Sequence, residues 1–270
     1  MIPPVSVLMP AYNAKRYIAE AIESILAQTF CDFELIICED RSNDMTWQII
    51  ERYASKDKRI KPFKNDKNLG ISGNRNKLIS LASGKYIVWQ DADDISMPYR
   101  LELQYQYMEQ NPDVGIIGGW LQFFNNNGEQ NIRKYASDDT ILRSKIFRYS
   151  PVAQPAAMIR KKCLDEAGMY DLRYPPAEDL DMSFRIGMNY KFANIPRVLI
   201  KYRENISSAT FTRLKTMELN TLDIRWKYAR SGKYAMTVAD RIYNFLHYAS
   251  IFVVPPKMKI KLFNVLRNEK

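Results

Sequence analysis

Short apolar runs alternate with segments of helical period over residues 1–95, and this alternation constrains the fold more than any other feature. "VSVLM" (5–9) reads as a buried strand and "PAYN" as the turn after it; Ile18, Ile22, Ile25 and Leu26 then recur at helical spacing to about Thr29. "FELIIC" (33–38) reads as a second strand, "EDRSND" (39–44) as a turn, and Trp47, Ile49, Ile50 and Tyr53 as one face of a second helix. "RIKPFKN" (59–65) gives a short strand, "NLGISGNRNKLISLA" (68–82) a glycine-containing loop entering a helix, and "KYIVWQ" (85–90) the next strand. Strands alternating with helices imply βαβ units and a mostly parallel sheet, which is the α/β class. Ligands then bind in the turns at the strand ends.

Further along, "PYRLELQYQYMEQNP" reads as a helix stopped at Pro112, "VGIIGGWLQFF" (114–124) as a strand and "NNNGE" (125–129) as a tight turn. "AAMIRKKCLDEAGMYD" suggests a strand and a short helix closed by Gly168, and "PPAEDLDMSFRIGMNY" a loop entering a helix near Asp179. "VLIKYR" (198–203) is the last strand expected, with mostly helical pattern from about Thr210. Residues 130–155 carry no readable period.

Composition limits the function classes. A chain of 270 residues with 46% hydrophobic content buries a sizeable core as one large domain or a domain with an appendage. No basic stretch precedes Lys15, so the N-terminus does not read as a secretory signal, and no apolar run reaches the length of a spanning helix. Cys31, Cys38 and Cys163 are odd in number and form no CxxC, which points to reduced thiols in a cytosolic protein. One histidine, His247, leaves little room for a His-rich zinc site, so any metal is a hard cation held by oxygen, Mg2+ or Mn2+.

The strand "YIVWQ" runs straight into Asp91, Asp93 and Asp94. Carboxylates gathered at a buried strand end repel one another and resist desolvation unless a cation neutralises them. Helix capping is the plainer explanation, but three acids exceed what one cap needs. The turn after the first strand is "PAYNAK", with no GxGxxG, and no GxxxxGK[ST] occurs, so neither a dinucleotide fingerprint nor a P-loop is present.

Five segments, "VSVLMPAYN", "ELIICEDRSND", "NLGISGNRN", "GKYIVWQDADD" and "PAEDLDMSFRI", occur in an order and spacing that resemble the inverting family 2 glycosyltransferases. The resemblance spans roughly residues 4–204. It implies a GT-A Rossmann-like nucleotide-sugar-binding domain over 1–209, with a donor half to about 95 and an acceptor half from about 96; the chain's own charge and helical pattern mark residues 210–270 as a basic helical extension. It also implies a nucleotide-sugar donor, UDP-linked by preference, a saccharide or lipid-linked saccharide acceptor, and Mn2+ or Mg2+.

The same resemblance distributes roles. Pro10 and Tyr12 lie where the family contacts the nucleotide, Tyr12 packing on the base, against the plain alternative of a core aromatic. Asp40 matches the base-binding aspartate, which accepts the N3–H of uracil or thymine; the alternative is a helix cap. Glu39 stands where the family's first aspartate stands and Arg41 where it usually has glycine. Arg75 matches the arginine that approaches the diphosphate, a pairing suited to a guanidinium. Asp93 matches the metal ligand of the DxD region, Asp91 a sugar or ribose contact and Asp94 a supporting acid. Asp179 matches the general base, with Glu178 as its positional partner. Against that stands the reading of Glu178, Asp179 and Asp181 as first-turn acids favoured by the helix dipole, and Arg185 as a structural ion-pair partner. Two departures stand out: Gln154 and Asn205 occupy places where relatives often carry histidine.

The charge is uneven. Residues 210–270 hold 12 Lys/Arg against 4 Asp/Glu, a net of +8, while residues 1–209 hold 28 against 26, a net of +2. A basic tail mixed with aromatic residues suits an anionic membrane surface, consistent with a cytoplasmic enzyme peripheral on the inner face of the membrane; a packed helix pair or a dimer contact is the alternative, and oligomeric state is left open. A sequence pI of about 9.3 also raises a nucleic-acid-binding module, but the basic excess lies outside the motif-bearing region, so no nucleic acid is expected. A sugar-1-phosphate nucleotidylyltransferase of related fold is a third reading, set aside because the glycine-rich loop that usually opens such enzymes is missing.

Overall fold

The computed structural model describes residues 2–204, 212–255 and 258–259. Strands and helices alternate as β1 (Val5–Ala11), α1 (Ile18–Leu26), β2 (Phe33–Glu39), α2 (Thr46–Ala54), β3 (Ile60–Lys64), α3 (Gly70–Leu81) and β4 (Tyr86–Trp89). A two-residue strand β5 (Ile95–Ser96) and helix α4 (Arg100–Gln110) follow. The second half comprises β6 (Val114–Asn125), β7 (Gly128–Arg133), α5 (Asp139–Ser144), a 3-10 turn at Gln154–Ala156, β8 (Met158–Arg160), α6 (Lys161–Ala167), α7 (Glu178–Ile186) and β9 (Lys191–Arg203). Helices α8 (Leu214–Arg230) and α9 (Val238–Val253) close the described chain.

All nine strands join one sheet in the order β3-β2-β1-β4-β8-β6-β9-β5, with β7 paired to β6. The long registers, β1 with β2 and β4, β2 with β3 and β6 with β9, are parallel, whereas β4–β8, β6–β8, β5–β9 and the β6–β7 hairpin are shorter and antiparallel. The α/β reading with a mostly parallel sheet therefore holds.

Continuous apolar strands, rather than alternating ones, follow from burial on both faces. Along β1, Val5, Val7 and Met9 point into one core with Ile18, Ile22 and Ile25 of α1, Ile50 of α2 and Leu101 of α4. Leu8 points the other way, into a core with Leu78 of α3, Leu164 of α6, Leu180 of α7 and Ile224 and Tyr228 of α8. Each such fully buried aliphatic side chain contributes roughly 1.5–3 kcal/mol of transfer free energy.

The structure corrects several element boundaries. Helix α1 stops at Leu26 rather than near Thr29, because Gln28 turns its amide to the carbonyl of Met97 at 2.8 Å and accepts from the Leu101 amide at 3.0 Å, tying the helix end to α4. Strand β9 begins at Lys191, seven residues before the predicted start. Pro196 hid the early part: its register against β6 jumps from Ile195 opposite Gly119 to Val198 opposite Trp120, so Pro196 and Arg197 bulge out of the ladder. Pro62 is accommodated because β3 lies at the sheet edge. The boundary drawn at 209/210 and the departure at Asn205 lie outside the described residues.

Glu34 is the polar tie at the N-terminal end of the sheet. Its carboxylate accepts from Ser6 Oγ of β1 at 2.6 Å and from the Ser83 amide and hydroxyl ahead of β4 at 2.9 and 2.7 Å, and it pairs with Lys61 of β3. Burial opposes its ionisation, but Lys61, Ser6 and Ser83 outweigh that and hold the carboxyl down at about 2, from an ordinary 4.5. A depressed folded-state pKa adds stability that is fully present above 4.5 and lost as pH falls toward 2. Glu34→Gln is expected to lose about 1–3 kcal/mol at pH 7. In urea titrations the gap between wild type and variant should close as pH drops through that window; a constant gap would contradict the assignment.

Candidate active site

The predicted donor residues converge at the carboxyl ends of β1, β2 and β4. Pro10 and Ala11 of β1 lie in register with Cys38 and Glu39 of β2. Beyond them the two loops clasp: the Asn13 amide donates to Ser42 Oγ at 2.9 Å, and the Asn43 amide to Asn13 Oδ1 at 3.0 Å. Asn13 and Arg41 both have positive φ, 49° and 62°. The family's usual glycine at position 41 thus answers a backbone demand, and the arginine meets the same left-handed geometry at a steric cost of about 1–2 kcal/mol. Tyr12 is 51% exposed at the rim, which removes the core-aromatic reading and leaves its ring open to a ligand.

Asp40 is buried and heavily engaged. Its carboxylate accepts from Asn65 Nδ2 at 2.9 Å and from the Leu69 and Gly70 amides at 2.8 and 2.9 Å, while Asn68 donates to its carbonyl. It therefore satisfies the orphan amides at the start of α3, a capping role across the sheet rather than on the helix that follows it in sequence. Gly70, at φ 72°, permits this approach. Glu39 is fully buried; Oε1 accepts from the Ser42 amide, while Oε2 has no hydrogen-bond partner among the described residues.

The acidic turn after β4 is knotted by a residue that sequence reasoning passed over. Gln90 donates to the carbonyls of Asp91 and Asp94 at 3.0 and 2.9 Å and accepts from Ser96 Oγ at 2.6 Å. Arg100, fully buried, braces the same turn through Ser96 Oγ at 2.9 Å and the Trp89 carbonyl at 2.8 Å. Arg203 at the end of β9 is a second omission. Its amide donates to Asp94 Oδ1 and its Nε to the Asp93 carbonyl, at 2.9 and 2.8 Å, and its guanidinium lies between the Tyr17 and Phe124 rings. The sequence signal for both was a polar or charged residue ending an apolar strand. Capping does not explain the acids, since α4 has no side-chain cap.

Burial, then the charge of Asp91, pushes the Asp93 carboxyl up to about 6, and burial with Asp93 and Asp91 pushes Asp94 up as well. Asp94 Oδ2 is buried without a hydrogen-bond partner among the described residues. Among those residues no three acids, cysteines or histidines converge into a ready-made metal cage. The donor set does fit a hard cation of the Mg2+ or Mn2+ kind, which takes one or two protein carboxylates and completes its shell with substrate phosphates and water.

Arg75 joins this turn to α7. Its Nη1 lies 2.9 Å from Glu178 Oε1 and its Nη2 3.6 Å from Asp91 Oδ1, with the guanidinium over the Trp89 ring. Gln154 fits beneath: with its amide oxygen turned toward them it accepts from Trp89 Nε1 at 3.0 Å, Tyr170 Oη at 2.7 Å and Arg75 Nη1 at 3.2 Å. Burial pulls the guanidinium pKa down, yet Glu178, Asp91, Tyr170 and Asp179 more than reverse this. Burial also lifts Glu178 to about 7 and raises Asp179, with Arg75 opposing both.

The three acids of α7 do lie in its first turn, and they part company there. Glu178 is held by Arg75. Asp181 is buried between Arg185 at 2.9 Å, Lys227 at 2.7 Å and Tyr228 Oη at 3.0 Å, so it anchors α8, and Arg185 is the structural partner expected. Asp179 remains half-buried, with no ion pair among the described residues.

Removing one member of a buried pair strands the other charge, which typically costs 3–5 kcal/mol. Arg75→Met is accordingly expected to lower stability by about that amount in chemical denaturation. A loss under about 1 kcal/mol would mean that Glu178 is not held by Arg75.

Comparison with known proteins shows the family and the fold. A 38% identical relative over 235 residues, 83% of this chain and 80% of its own length, is an uncharacterised glycosyltransferase of Methanocaldococcus jannaschii. A 28% identical relative covering 92% of both chains is the Escherichia coli UDP-Glc:alpha-D-GlcNAc-diphosphoundecaprenol beta-1,3-glucosyltransferase WfgD. The fold superposes on the mannosyltransferase PcManGT of Pyrobaculum calidifontis, solved with GDP-Man and Mn2+, with a TM-score of 0.66 at 16% identity over 94% of this chain and 71% of that one. The "Glycosyl transferase family 2" profile matches residues 6–168, and with these relatives it shows that the chain belongs to the family 2 glycosyltransferases, with the GT-A fold.

Proposed function

We propose that the chain is a metal-dependent, inverting glycosyltransferase that moves a sugar from a UDP-sugar to a saccharide hydroxyl in cell-surface polysaccharide or glycolipid synthesis. The observation that carries this reading is the Arg75 bridge, which brings the acids at the end of β4 and those at the start of α7 to one guanidinium. Donor and acceptor chemistry need that proximity.

In this reading Tyr12 packs on the uracil, Pro10 lines the same edge, and the free lone pair of Asp40 accepts the uracil N3–H. Glu39 supports that loop. Arg75 faces the diphosphate and Asp91 the ribose or sugar. Asp93 would hold Mn2+ or Mg2+, supported by Asp94, and the ion's chemistry is to neutralise charge developing on the departing nucleoside diphosphate. Asp179 takes the proton of the acceptor hydroxyl as that oxygen attacks the anomeric carbon. The new carbon–oxygen bond forms on the face opposite the breaking bond to the diphosphate, so the anomeric centre inverts.

Elimination within α7 supports Asp179 as the base, since Glu178 and Asp181 are already neutralised by cations. Burial raises the pKa of Asp179 and of Glu178 alike, so the absence of a cation partner among the described residues, not basicity, singles out Asp179. The Escherichia coli relative is named for a UDP-Glc donor and a diphosphoundecaprenol-linked acceptor, which supports the UDP and lipid-linked readings here. In this reading the enzyme works at the inner face of the membrane, where a nucleotide-sugar donor and a lipid-linked acceptor meet.

The test is Asp179→Asn, assayed by UDP release from a panel of UDP-sugars with lipid-linked saccharide acceptors. Turnover should fall by about 10²–10⁴-fold while UDP affinity by calorimetry stays as in wild type. Turnover close to wild type would move the base elsewhere.

A further inference from the structure

Helix α9 is inside out. Its fully buried residues are polar, Asp240 and Asn244, bonded to Arg148 and to the Phe147 carbonyl. Most of its exposed residues are apolar: Val238 73%, Ile242 56%, Phe245 67%, Leu246 60%, Phe252 60% and Val253 81%, with Arg241 and Tyr248 exposed beside them. At about 100° per residue these six, with Ala249, fall on one stripe spanning less than half the helix circumference. A packed helix of a water-surrounded protein does the reverse, so this stripe is built to meet something apolar.

The charge around it identifies what. Of the three acids on the described tail, Asp240 is paired with Arg148 and Glu218 with Lys259 at 2.8 Å, while Asp223 is exposed and hydrogen-bonded to Tyr174. Five of the eight cations on the described tail are turned outward: Arg241 borders the stripe, the Lys215 ammonium sits over the Phe252 ring at 5.2 Å, and Arg213, Arg230 and Lys233 are exposed, whereas Arg225 is buried and Lys227 and Lys259 pair with Asp181 and Glu218. A cleft between α8 and α9, lined by Leu219, Leu222, Asp223, Trp226, Asn244, Phe245 and Tyr248, shares Phe245 with the stripe. No described helix is long and apolar enough to cross a membrane, so an apolar face rimmed by cations suits lying in the plane of an interface.

We infer that the outward face of α9 docks the protein on an anionic lipid bilayer, with Phe245, Leu246 and Phe252 in the headgroup region and Arg241 and Lys215 on the lipid phosphates. A second copy of the chain would bring these same cations against each other, which disfavours it as the occupant. The inference stands whatever sugar is moved and whichever residue is the base.

The test is co-sedimentation of the full chain with phosphatidylglycerol–phosphatidylethanolamine vesicles and with phosphatidylcholine vesicles, at low and high salt, alongside light scattering. The protein should sediment with the anionic vesicles, release in high salt and bind phosphatidylcholine more weakly. Phe245→Ser/Phe252→Ser should cut anionic-vesicle binding by about tenfold or more, with circular dichroism and UDP affinity unchanged. Because both side chains are exposed, folding is not at stake. Absence of binding by the wild type, binding unaffected by the double substitution or indifferent to salt and lipid charge, or a dimer dissolved by the substitutions in a protein that ignores vesicles would each overturn the inference.

Discussion

One buried guanidinium holds the two halves of the site in register. Arg75 is almost fully enclosed, lies against Trp89, and contacts carboxylates from the end of β4 and the start of α7, segments far apart in sequence. A charge in such a place persists only if its partners are fixed, because each would be costly to bury alone. Gln154 fixes the geometry from below by engaging Arg75, Trp89 and Tyr170 together. Its amide oxygen can serve all three donors without titrating.

The sheet supplies the rest. Because its long strands are parallel, their carboxyl ends emerge on one edge, and every loop that carries a predicted donor residue leaves from that edge. The loops are stitched to one another as well as to the strands: Asn13 to Ser42 and Asn43, Asp40 to Leu69 and Gly70, Arg203 to Asp93 and Asp94. This stiffness matters for transfer, since donor and base must hold their geometry before the acceptor arrives. It also keeps acids close together whose ionisation burial and mutual repulsion oppose, an opposition that a cation bound there would relieve.

Much of this was legible in the amino-acid order, for physical reasons that differ by element. Strands β1, β2 and β4 were plain because burial on both faces makes them uniformly apolar. Strand β5 has only two residues and leaves no period to read, while Pro196 masked the first half of β9 behind a bulge. Within the site, the five motifs marked Asp40, Arg75, Asp91, Asp93 and Asp179. They did not disclose that Asp40 closes α3, that Asp181 serves α8, or that Gln90 and Arg203 lock the acidic turn, because those contacts join residues distant along the chain. The basic tail was visible as composition; that α9 turns its apolar side outward emerged only from the packing.

The central claim is that the turn after β4 is a cation and diphosphate site facing the base on α7. Anomalous diffraction from crystals grown with UDP and Mn2+ tests it most directly. The account predicts a single manganese peak within bonding distance of Asp93 and of both phosphates of UDP, on the side of the turn that Arg75 and Asp179 face. A peak bound elsewhere, or UDP seated at the strand ends with no manganese at Asp93, would contradict it.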